Sequence, residues 1–303
     1  MISSDQYLSC NLCPRCCSAD RTQTVGFCRS DSHVKVARAA LHQWEEPCIS
    51  GTNGSGTVFF SGCTLRCCFC QNYPISHEVF GKELSIQELS DIFLRLQDQG
   101  AHNINLVTAT HYLPSVTAAL DLAKKQLSIP IVYNCGGYER VETVKALKGY
   151  VDIWLPDLKY QDSALSARYS QAPDYFTQAS QAIQQMIAQT GAPILDEQGL
   201  MESGVIIRHM VLPGAKEDSI RLLHWMKDTL PAGRYYISLL SQYTPFYRAA
   251  KGGDFPEISR RITTYEYEKV LNAAIDLGLN QGFMQEKSSA KEEYTPPFDL
   301  EGV

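Results

Sequence analysis

Short apolar runs rich in β-branched residues alternate with longer amphipathic segments over most of the chain after Gly56. The clearest amphipathic segment is Ser85–Gly100, where apolar residues recur at helical spacing along one face. Ser85 and Glu88 form a capping box at its start. Alternation of this kind predicts repeated β-α units that build a parallel sheet.

Six such cycles can be counted, and together they predict the main domain. The predicted strands lie near Val58–Ser61, Ile104–Thr108, Ile129–Asn134, Val151–Leu155, Val205–Leu212 and Tyr235–Leu240. The predicted helices are Ser85–Gly100, Pro114–Gln126, Glu139–Lys148, Phe176–Thr190, Ala215–Leu230 and Thr264–Leu277. Right-handed crossovers between these strands give an α/β fold, a partial (β/α)6 TIM-like barrel with its reactive mouth at the C-terminal ends of the strands.

The two ends of the chain lack this pattern. Residues 1–56 contain a Cys-rich stretch and a Gly/Ser-rich run, and we interpret them as a small irregular Cys-rich N-terminal module. Residues 57–286 hold the predicted barrel. Residues 287–303 are charged, contain a Pro-Pro pair and show no period, so they are predicted to be an unstructured polar C-terminal tail.

Charge and hydropathy narrow the range of partners. A net charge of −6 provides no broad positive field for a nucleic-acid backbone or an anionic membrane, and we expect neither partner. The chain has no run of apolar residues long enough to span a bilayer, and its first residues lack a basic region followed by an apolar one. We therefore expect a cytoplasmic protein.

Cysteine is abundant and unevenly distributed. Eight of the 11 cysteines fall in two bunches, at residues 10–17 and 63–70. In a reducing compartment, such bunching favours metal ligation over a framework of disulfides.

The second bunch directly follows the first predicted strand. Three residues separate Cys63 from Cys67, and two residues separate Cys67 from Cys70, on a loop at the predicted barrel mouth. Three thiolates can hold three irons of a [4Fe-4S] cubane, for which four are normally used, and the remaining iron is open to chelate a small molecule. A zinc knuckle is the alternative interpretation.

The segment Cys-x3-Cys-x-Phe-Cys resembles the signature of the radical S-adenosylmethionine (SAM) superfamily. This resemblance implies an oxidoreductase in which the cluster cleaves SAM reductively to make a 5′-deoxyadenosyl radical. It also implies an electron donor such as flavodoxin or ferredoxin.

The resemblance extends along the chain. Phe59–Cys63, Trp154–Lys159 and Ile207–Gly214 are similar to segments of the pyruvate formate-lyase activating enzymes, whose partner is a glycyl radical enzyme. The N-terminal Cys-x2-Cys-Pro-Arg stretch and His42–Pro47 are similar to an uncharacterised iron-sulfur branch of that group. The resemblance therefore fixes the chemistry better than the substrate.

The same resemblance implies which residues surround SAM. Phe69 would lie beside the adenine. Asp157, Lys159 and Arg208, at predicted strand ends, would reach the ribose hydroxyls and the carboxylate of SAM. Each of these charged residues, taken alone, is also an ordinary salt-bridge partner.

The second predicted strand departs from the activating-enzyme pattern. Those enzymes usually have a Gly-Gly-Glu segment there to receive the SAM amino group, whereas this chain has Thr108-Ala109-Thr110-His111-Tyr112. Thr108, Thr110 or His111 could substitute, and we take His111 as the candidate catalytic residue, with a structural histidine as the alternative. Asn134, at the third strand, is a further candidate for SAM binding.

In the first bunch and just beyond it, Cys10, Cys13, Cys17 and Cys28 form the set closest to the related branch. Four thiolates could bind a structural zinc or an auxiliary iron-sulfur cluster, and the spacing does not separate the two. Reduced, unligated cysteines are the third interpretation. We expect a second metal site because a short irregular segment has few other means of becoming ordered.

Three functions are consistent with these features. The first is an activase that abstracts a hydrogen atom from a glycine of a partner enzyme. The second is a radical SAM enzyme that modifies a small molecule or peptide directly. The third is a non-catalytic iron-sulfur or zinc-binding protein, and the three-cysteine spacing of the main loop argues against it.

Overall fold

The computed structural model describes residues 2–285 and 295–303. Its strands are β1 (Val34–His42), β2 (Ser55–Phe60), β3 (Lys82–Leu84), β4 (Ile104–Val107), β5 (Ile131–Cys135), β6 (Ile153–Pro156), β7 (Ile194–Leu195), β8 (Met201–Met210), β9 (Tyr236–Leu240) and β10 (Gly282–Met284). Its helices are α1 (Pro47–Ser50), α2 (Tyr73–Ser76), α3 (Ile86–Asp98), α4 (Leu113–Ala123), α5 (Val141–Ala146), α6 (Ser163–Ser170), α7 (Tyr175–Thr190), α8 (Lys216–Thr229) and α9 (Thr264–Asp276).

The strands form a sheet in the order β10-β9-β8-β6-β5-β4-β2-β1-β3, and β7 pairs with β8 beside this path. The strands from β2 to β9 along this order run parallel, and β10 adds a further parallel strand. β1 and β3 are antiparallel additions at the opposite end. Within the described residues the two end strands do not pair, so the predicted partial barrel is confirmed.

Three of the described helices, α3, α6 and α9, begin at a side-chain cap. At α3, Ser85 Oγ accepts a hydrogen bond from the Glu88 backbone N at 3.2 Å, and Glu88 accepts one from the Ser85 backbone N at 2.8 Å. The unpredicted α6 begins at Asp162, whose carboxylate accepts from the Ala164 backbone N at 2.7 Å. Helix α6 has only weak amphipathicity, which explains why periodicity did not reveal it. None of the helices in the described ranges is long and apolar enough to cross a membrane.

Alternate residues of the parallel strands face two separate cores. Residues such as Tyr133 and Trp154 belong to the large core that also includes the apolar faces of the surrounding helices. The opposite face of the strands lines the barrel interior, where Cys48 and Ile49 of α1 join a second cluster made with Val132, Ile153, Leu155, Met201 and Ile206. Helix α1 therefore fills the inside of the barrel.

The expected irregularity of the N-terminal module applies to only part of it. Residues 8–33 form turns and bends, whereas Val34–His42 pairs with β2 and continues the sheet. Its sequence includes three Ala residues and one Arg, so the strand owes its order to pairing with β2 more than to a strong local preference.

The C-terminal tail is also more ordered than expected where the structure describes it. The Leu300 backbone N donates to Ala37 O at 3.1 Å, and the Ala39 backbone N donates to Glu301 O at 2.9 Å. The Phe298 ring packs edge-on against Phe59 with 5.5 Å between centroids. The prediction of an unstructured tail is therefore wrong for residues 295–303, because these contacts to β1 and β2 supply order that periodicity cannot reveal. Residues 287–294 lie outside the described residues.

Candidate functional site

A cavity of about 310 Å³ opens at the C-terminal ends of the parallel strands. The loop after β2 forms one wall, and the ends of β4, β5, β6, β8 and β9 form the others. Its lining includes many of the residues that the sequence singled out, namely Cys63, Cys67, Phe69, Cys70, Thr108, Asn134, Asp157, Lys159 and Arg208. The predicted barrel mouth is thus where most candidate residues meet.

The three loop cysteines lie in polar surroundings suited to holding sulfur. Cys67 Sγ is 3.1 Å from Ser170 Oγ, and Cys70 Sγ is 3.2 Å from Ser76 Oγ. Cys63 Sγ accepts a hydrogen bond from the Leu65 backbone N at 3.4 Å. Two of the three sulfurs therefore have a hydroxyl group beside them, and the third has a backbone donor.

A close approach of the chain shapes the start of this loop. Gly62 has φ +90°, and a Cβ at that position would lie 2.9 Å from the backbone oxygen of Cys28. The same oxygen accepts a hydrogen bond from the Cys63 backbone N at 3.4 Å. A side chain at residue 62 would be strained in that conformation and would push the N-terminal module away from the loop.

Burial favours the protonated form of two of these thiols in the absence of a metal. Burial, together with the nearby Cys67, raises the pKa of Cys63 to about 12. Burial likewise raises the pKa of Cys70 to about 11. Ligation requires thiolates, so binding of a metal centre here would release protons.

Four polar residues at the strand ends form one connected network. Arg208 Nε donates to Asp157 at 3.0 Å, and Arg208 Nη2 donates to Asn134 Oδ1 at 2.6 Å. Lys159 Nζ lies 2.5 Å from the other oxygen of Asp157. Burial opposes ionisation of Asp157, but Lys159 and Arg208 outweigh it and lower the pKa of the carboxyl group. The structure therefore brings together four of the residues that the sequence analysis proposed for SAM binding.

Phe69 and Thr108 complete the cavity wall at the predicted positions. Phe69 is buried, and its ring lies edge-on to Tyr243 with 5.7 Å between centroids. Thr108 has φ +60°, and its backbone N donates to Asn134 O at 2.9 Å. β-Branched residues rarely adopt that conformation, so the turn at Thr108 is imposed by its surroundings.

Thr110 and His111 are separated from the other candidates. Thr110 Oγ1 donates to the buried carboxylate of Glu139 at 2.7 Å, and neither residue lines the cavity in the part of the chain that is described. His111 Nε2 is 2.7 Å from Ser61 O, and burial lowers the pKa of the ring to about 3. The short 3-10 turn after β4 directs both side chains into the protein, so the structure gives no support to the expected catalytic placement of His111.

Two carboxylates that sequence reasoning missed also line the cavity. Glu45 and Glu46 precede α1 and lie on the segment that enters the barrel. Glu45 Oε2 is 3.2 Å from Arg208 Nη1, which joins it to the polar network. The available signal was their place in His42–Pro47, the segment similar to the uncharacterised iron-sulfur branch, but that similarity gave neither residue a role.

The N-terminal cysteines gather around Arg21 and Gly26. Arg21 Nη1 lies 3.8 Å from Cys10 Sγ, and a Cβ on Gly26 would lie 3.4 Å from the sulfurs of both Cys17 and Cys28. Cys13 is buried, and this burial raises the pKa of its thiol, with Cys28 and Cys10 adding to the effect. Within residues 2–285 and 295–303, no three His, Cys, Asp or Glu side chains are arranged to hold a single metal ion.

Comparison with known proteins finds a matching family and a relative that is similar over most of the length of this chain. Residues 57–164 match the model of the radical SAM superfamily. The chain is 30% identical over 284 residues to the uncharacterized protein MJ0674 of Methanocaldococcus jannaschii, covering 90% of this chain and 76% of that protein.

Solved structures with a similar fold are more distant. SuiB of Streptococcus suis, bound to its precursor peptide SuiA, is 15% identical, and the match covers 74% of this chain and 46% of SuiB with a TM-score of 0.49. Methylornithine synthase (PylB) is 16% identical over 70% of this chain and 59% of that chain, with a TM-score of 0.45. This chain thus spans about half the length of the solved structures that it matches.

Proposed function

This chain belongs to the radical SAM superfamily, whose cofactors are a [4Fe-4S] cluster and SAM, and we propose that it uses them in its cavity to abstract a hydrogen atom from a substrate. The observation that carries the proposal is the meeting of three loop thiols and a buried polar network in one cavity. When bound, the reduced cluster supplies the electron that cleaves SAM into methionine and a 5′-deoxyadenosyl radical.

The donor set of the loop fits the cluster. Cys63, Cys67 and Cys70 provide three sulfurs, which is the number that leaves one iron open to SAM. The hydroxyl groups of Ser170 and Ser76, beside two of these sulfurs, supply hydrogen bonds of the kind that tune such centres.

The polar network is suited to binding the polar parts of SAM. Lys159 Nζ has three N–H donors, of which one is directed at Asp157, so others remain for a carboxylate. Arg208 holds Asn134 and Asp157 in place at the cavity wall, where the amide of Asn134 can donate or accept hydrogen bonds and the carboxylate of Asp157 can accept them. Phe69 and Thr108 line the same space.

Lys159→Met is expected to weaken SAM binding about tenfold or more. The substitution keeps the alkyl chain and removes a charge-assisted hydrogen bond, which typically contributes about 1.5–3 kcal/mol. The measurement is the Kd for SAM of the anaerobically reconstituted protein by equilibrium dialysis. Lys216→Met is the matched control, because Lys216 pairs with the exposed Glu217 on α8, outside the cavity lining. Equal SAM affinity in the two variants would contradict the assignment of Lys159.

Ser170→Ala is expected to make the reduction potential of the cluster more negative. Removing a hydrogen bond from a ligating sulfur disfavours the more negative, reduced state. Redox titration followed by electron paramagnetic resonance (EPR) measures the potential. Ser166→Ala, also in α6, is the control because its hydroxyl donates to Ser163 O and not to a cysteine. A potential unchanged in Ser170→Ala, or shifted equally in both variants, would exclude this role.

The proposed function as a whole is tested by SAM cleavage. Protein reconstituted anaerobically should release 5′-deoxyadenosine when it is given SAM and dithionite, as measured by liquid chromatography. An intact cluster with bound SAM and no release under any reductant would reject the enzymatic proposal. Flavodoxin or ferredoxin is the proposed physiological source of the electron.

A glycyl radical activase is the second candidate, favoured by the similarity of Trp154–Lys159 and Ile207–Gly214 to activating enzymes. Anaerobic mixing with a candidate glycyl radical enzyme from the same genome neighbourhood should then produce a glycyl radical signal in EPR. If the enzyme cleaves SAM without producing this signal, the result would favour direct modification of a small molecule or peptide. The carboxylates that line the cavity also favour that function.

We also propose a metal centre at Cys10, Cys13, Cys17 and Cys28, separate from the SAM cluster. The support is that three of these thiols are buried together in a segment of turns and bends. Metal analysis of a variant with Ala at all three loop cysteines isolates this centre. Four irons with matching sulfide would indicate an auxiliary cluster and one zinc a structural site. A folded variant without either metal would refute the centre.

A further inference from the structure

The floor of the cavity is built by the segment that enters the barrel after β1. Helix α1 packs Cys48 and Ile49 against the interior faces of the strands. The Ile49 backbone oxygen accepts a hydrogen bond from the Asn103 side chain at 2.8 Å, and the Glu45 backbone N donates to Ser50 Oγ at 3.0 Å. These contacts fix the backbone that carries Glu45 and Glu46.

Glu45 is fully engaged by protein partners. Its Oε1 accepts hydrogen bonds from the amide groups of Asn105 at 3.0 Å and Asn134 at 3.1 Å. Its Oε2 is paired with Arg208. The partners come from three different strands, so Glu45 is a structural part of the floor.

Glu46 is buried to the same degree and is not satisfied in this way. The residue is 7% exposed and lines the cavity, yet its Oε2 has no hydrogen-bond partner among the described residues. An ionised carboxylate oxygen is a hydrogen-bond acceptor, so a group that would satisfy Glu46 Oε2 is a donor.

The charges of the cavity lining also favour a bound cation. Among the described residues that line the cavity, the acidic groups Glu45, Glu46 and Asp157 are opposed by Lys159 and Arg208 only, because His42 stays neutral at pH 7. Both cations are already paired, Lys159 with Asp157 and Arg208 with Asp157 and Glu45. In the described part of the chain, Glu46 belongs to no ion pair. Burial raises the pKa of Glu46 for this reason, and a cation that joins the group would favour its ionised form.

The number of free oxygens indicates which cation fits. A guanidinium group prefers two carboxylate oxygens at once, whereas an ammonium group is a compact charge that one oxygen can receive. Glu46 offers one free oxygen, and the buried Ser238 on β9, which also lines the cavity, can act as a second acceptor. The arrangement therefore matches a primary ammonium group better than a guanidinium group.

We propose that the cavity admits a substrate that carries a primary ammonium group and that Glu46 binds this group. The inference rests on the proposed function in one respect, namely that the molecule bound at Glu46 is the one from which the hydrogen atom is abstracted. It names the class of substrate, an amine, which can be a small molecule or the side chain of a lysine in a peptide.

The test compares probes that differ in charge alone. Pentylammonium and 1-pentanol are titrated into the reconstituted full-length protein, with SAM and without reductant, and binding is followed by saturation-transfer NMR. We expect pentylammonium to bind about tenfold tighter or more than the alcohol. Glu46→Gln should abolish this preference, whereas Glu217→Gln, which changes an exposed carboxylate on α8, should leave it unchanged.

A blocked lysine peptide forms a second arm, which distinguishes a peptide substrate from a small amine. Equal affinity for the ammonium and the alcohol in the unmodified protein would overturn the inference, and so would a preference that survives Glu46→Gln. If that variant does not fold, crystals of the unmodified protein soaked with pentylammonium decide the matter. The nitrogen within hydrogen-bond distance of Glu46 supports the inference, and any other position, or no bound probe, rejects it.

The binding measurement does not depend on SAM cleavage, because no reductant is present. Protein that prefers the ammonium and releases no 5′-deoxyadenosine would retain the amine site and reject the proposed reaction. Protein that releases 5′-deoxyadenosine and shows no preference for the ammonium would retain the proposed reaction and reject the amine site.

Discussion

Ala at Cys63, Cys67 or Cys70 is expected to give a folded protein that has lost the SAM cluster and releases no 5′-deoxyadenosine above background. Each sulfur is one of only three proposed ligands, so removal of one leaves too few to hold the cubane. The fold itself loses little stability, since a sulfur-hydroxyl hydrogen bond such as that between Cys67 and Ser170 contributes about 1 kcal/mol at most. Iron and sulfide analysis measures the cluster content, circular dichroism measures the folding, and chromatography measures the 5′-deoxyadenosine released.

Cys68→Ala provides the matched control within the same loop. Cys68 follows Cys67 directly and is buried, but it is not among the described residues that line the cavity. Its backbone N donates to Tyr169 O at 2.8 Å, an interaction that the substitution leaves in place. We expect this variant to keep its iron and its SAM cleavage. A cluster retained in Cys67→Ala, or lost in Cys68→Ala, would contradict the ligand assignment.

The barrel strands were predictable because each is buried on both faces and carries a run of apolar residues. Strand β4 begins at Ile104 as predicted, and β5 and β6 begin two residues later than predicted. Parallel strands in a barrel have this composition whatever their partners are, so local sequence suffices to find them. The loop cysteines were also predictable, because the ligand spacing lies within one short segment.

The floor of the cavity was not predictable, because its stability depends on residues that are distant in sequence. Acidic residues are rarely buried, so Glu45 and Glu46 suggest a surface turn when they are read locally. Glu45 is buried against Asn105, Asn134 and Arg208, which only the folded barrel brings near it. The direction of the His111 side chain was not predictable either, since a turn after a strand can direct a side chain to either face.

Arg208→Ala is expected to destabilise the protein by about 3–5 kcal/mol, because it leaves a buried carboxylate without its cation. The side chain of Glu45 is only 10% exposed, and Arg208 is the cation paired with it among the described residues. Asp157 keeps Lys159 as a partner, so the loss falls mainly on Glu45. Urea unfolding of the anaerobic, metal-free protein measures the change in the free energy of unfolding.

Arg248→Ala is the matched control, since it removes an arginine paired with the exposed Asp254. Exposed pairs contribute about 0–1 kcal/mol, so this variant should unfold close to the unmodified protein. A double variant, Arg208→Ala with Glu45→Gln, removes both buried charges and should recover most of the loss, because the cost of the single change lies in the uncompensated carboxylate and not in the missing hydrogen bonds. Equal destabilisation in the single and double Arg208 variants would show instead that packing of the arginine, and not its charge, holds the floor of the cavity to the strands.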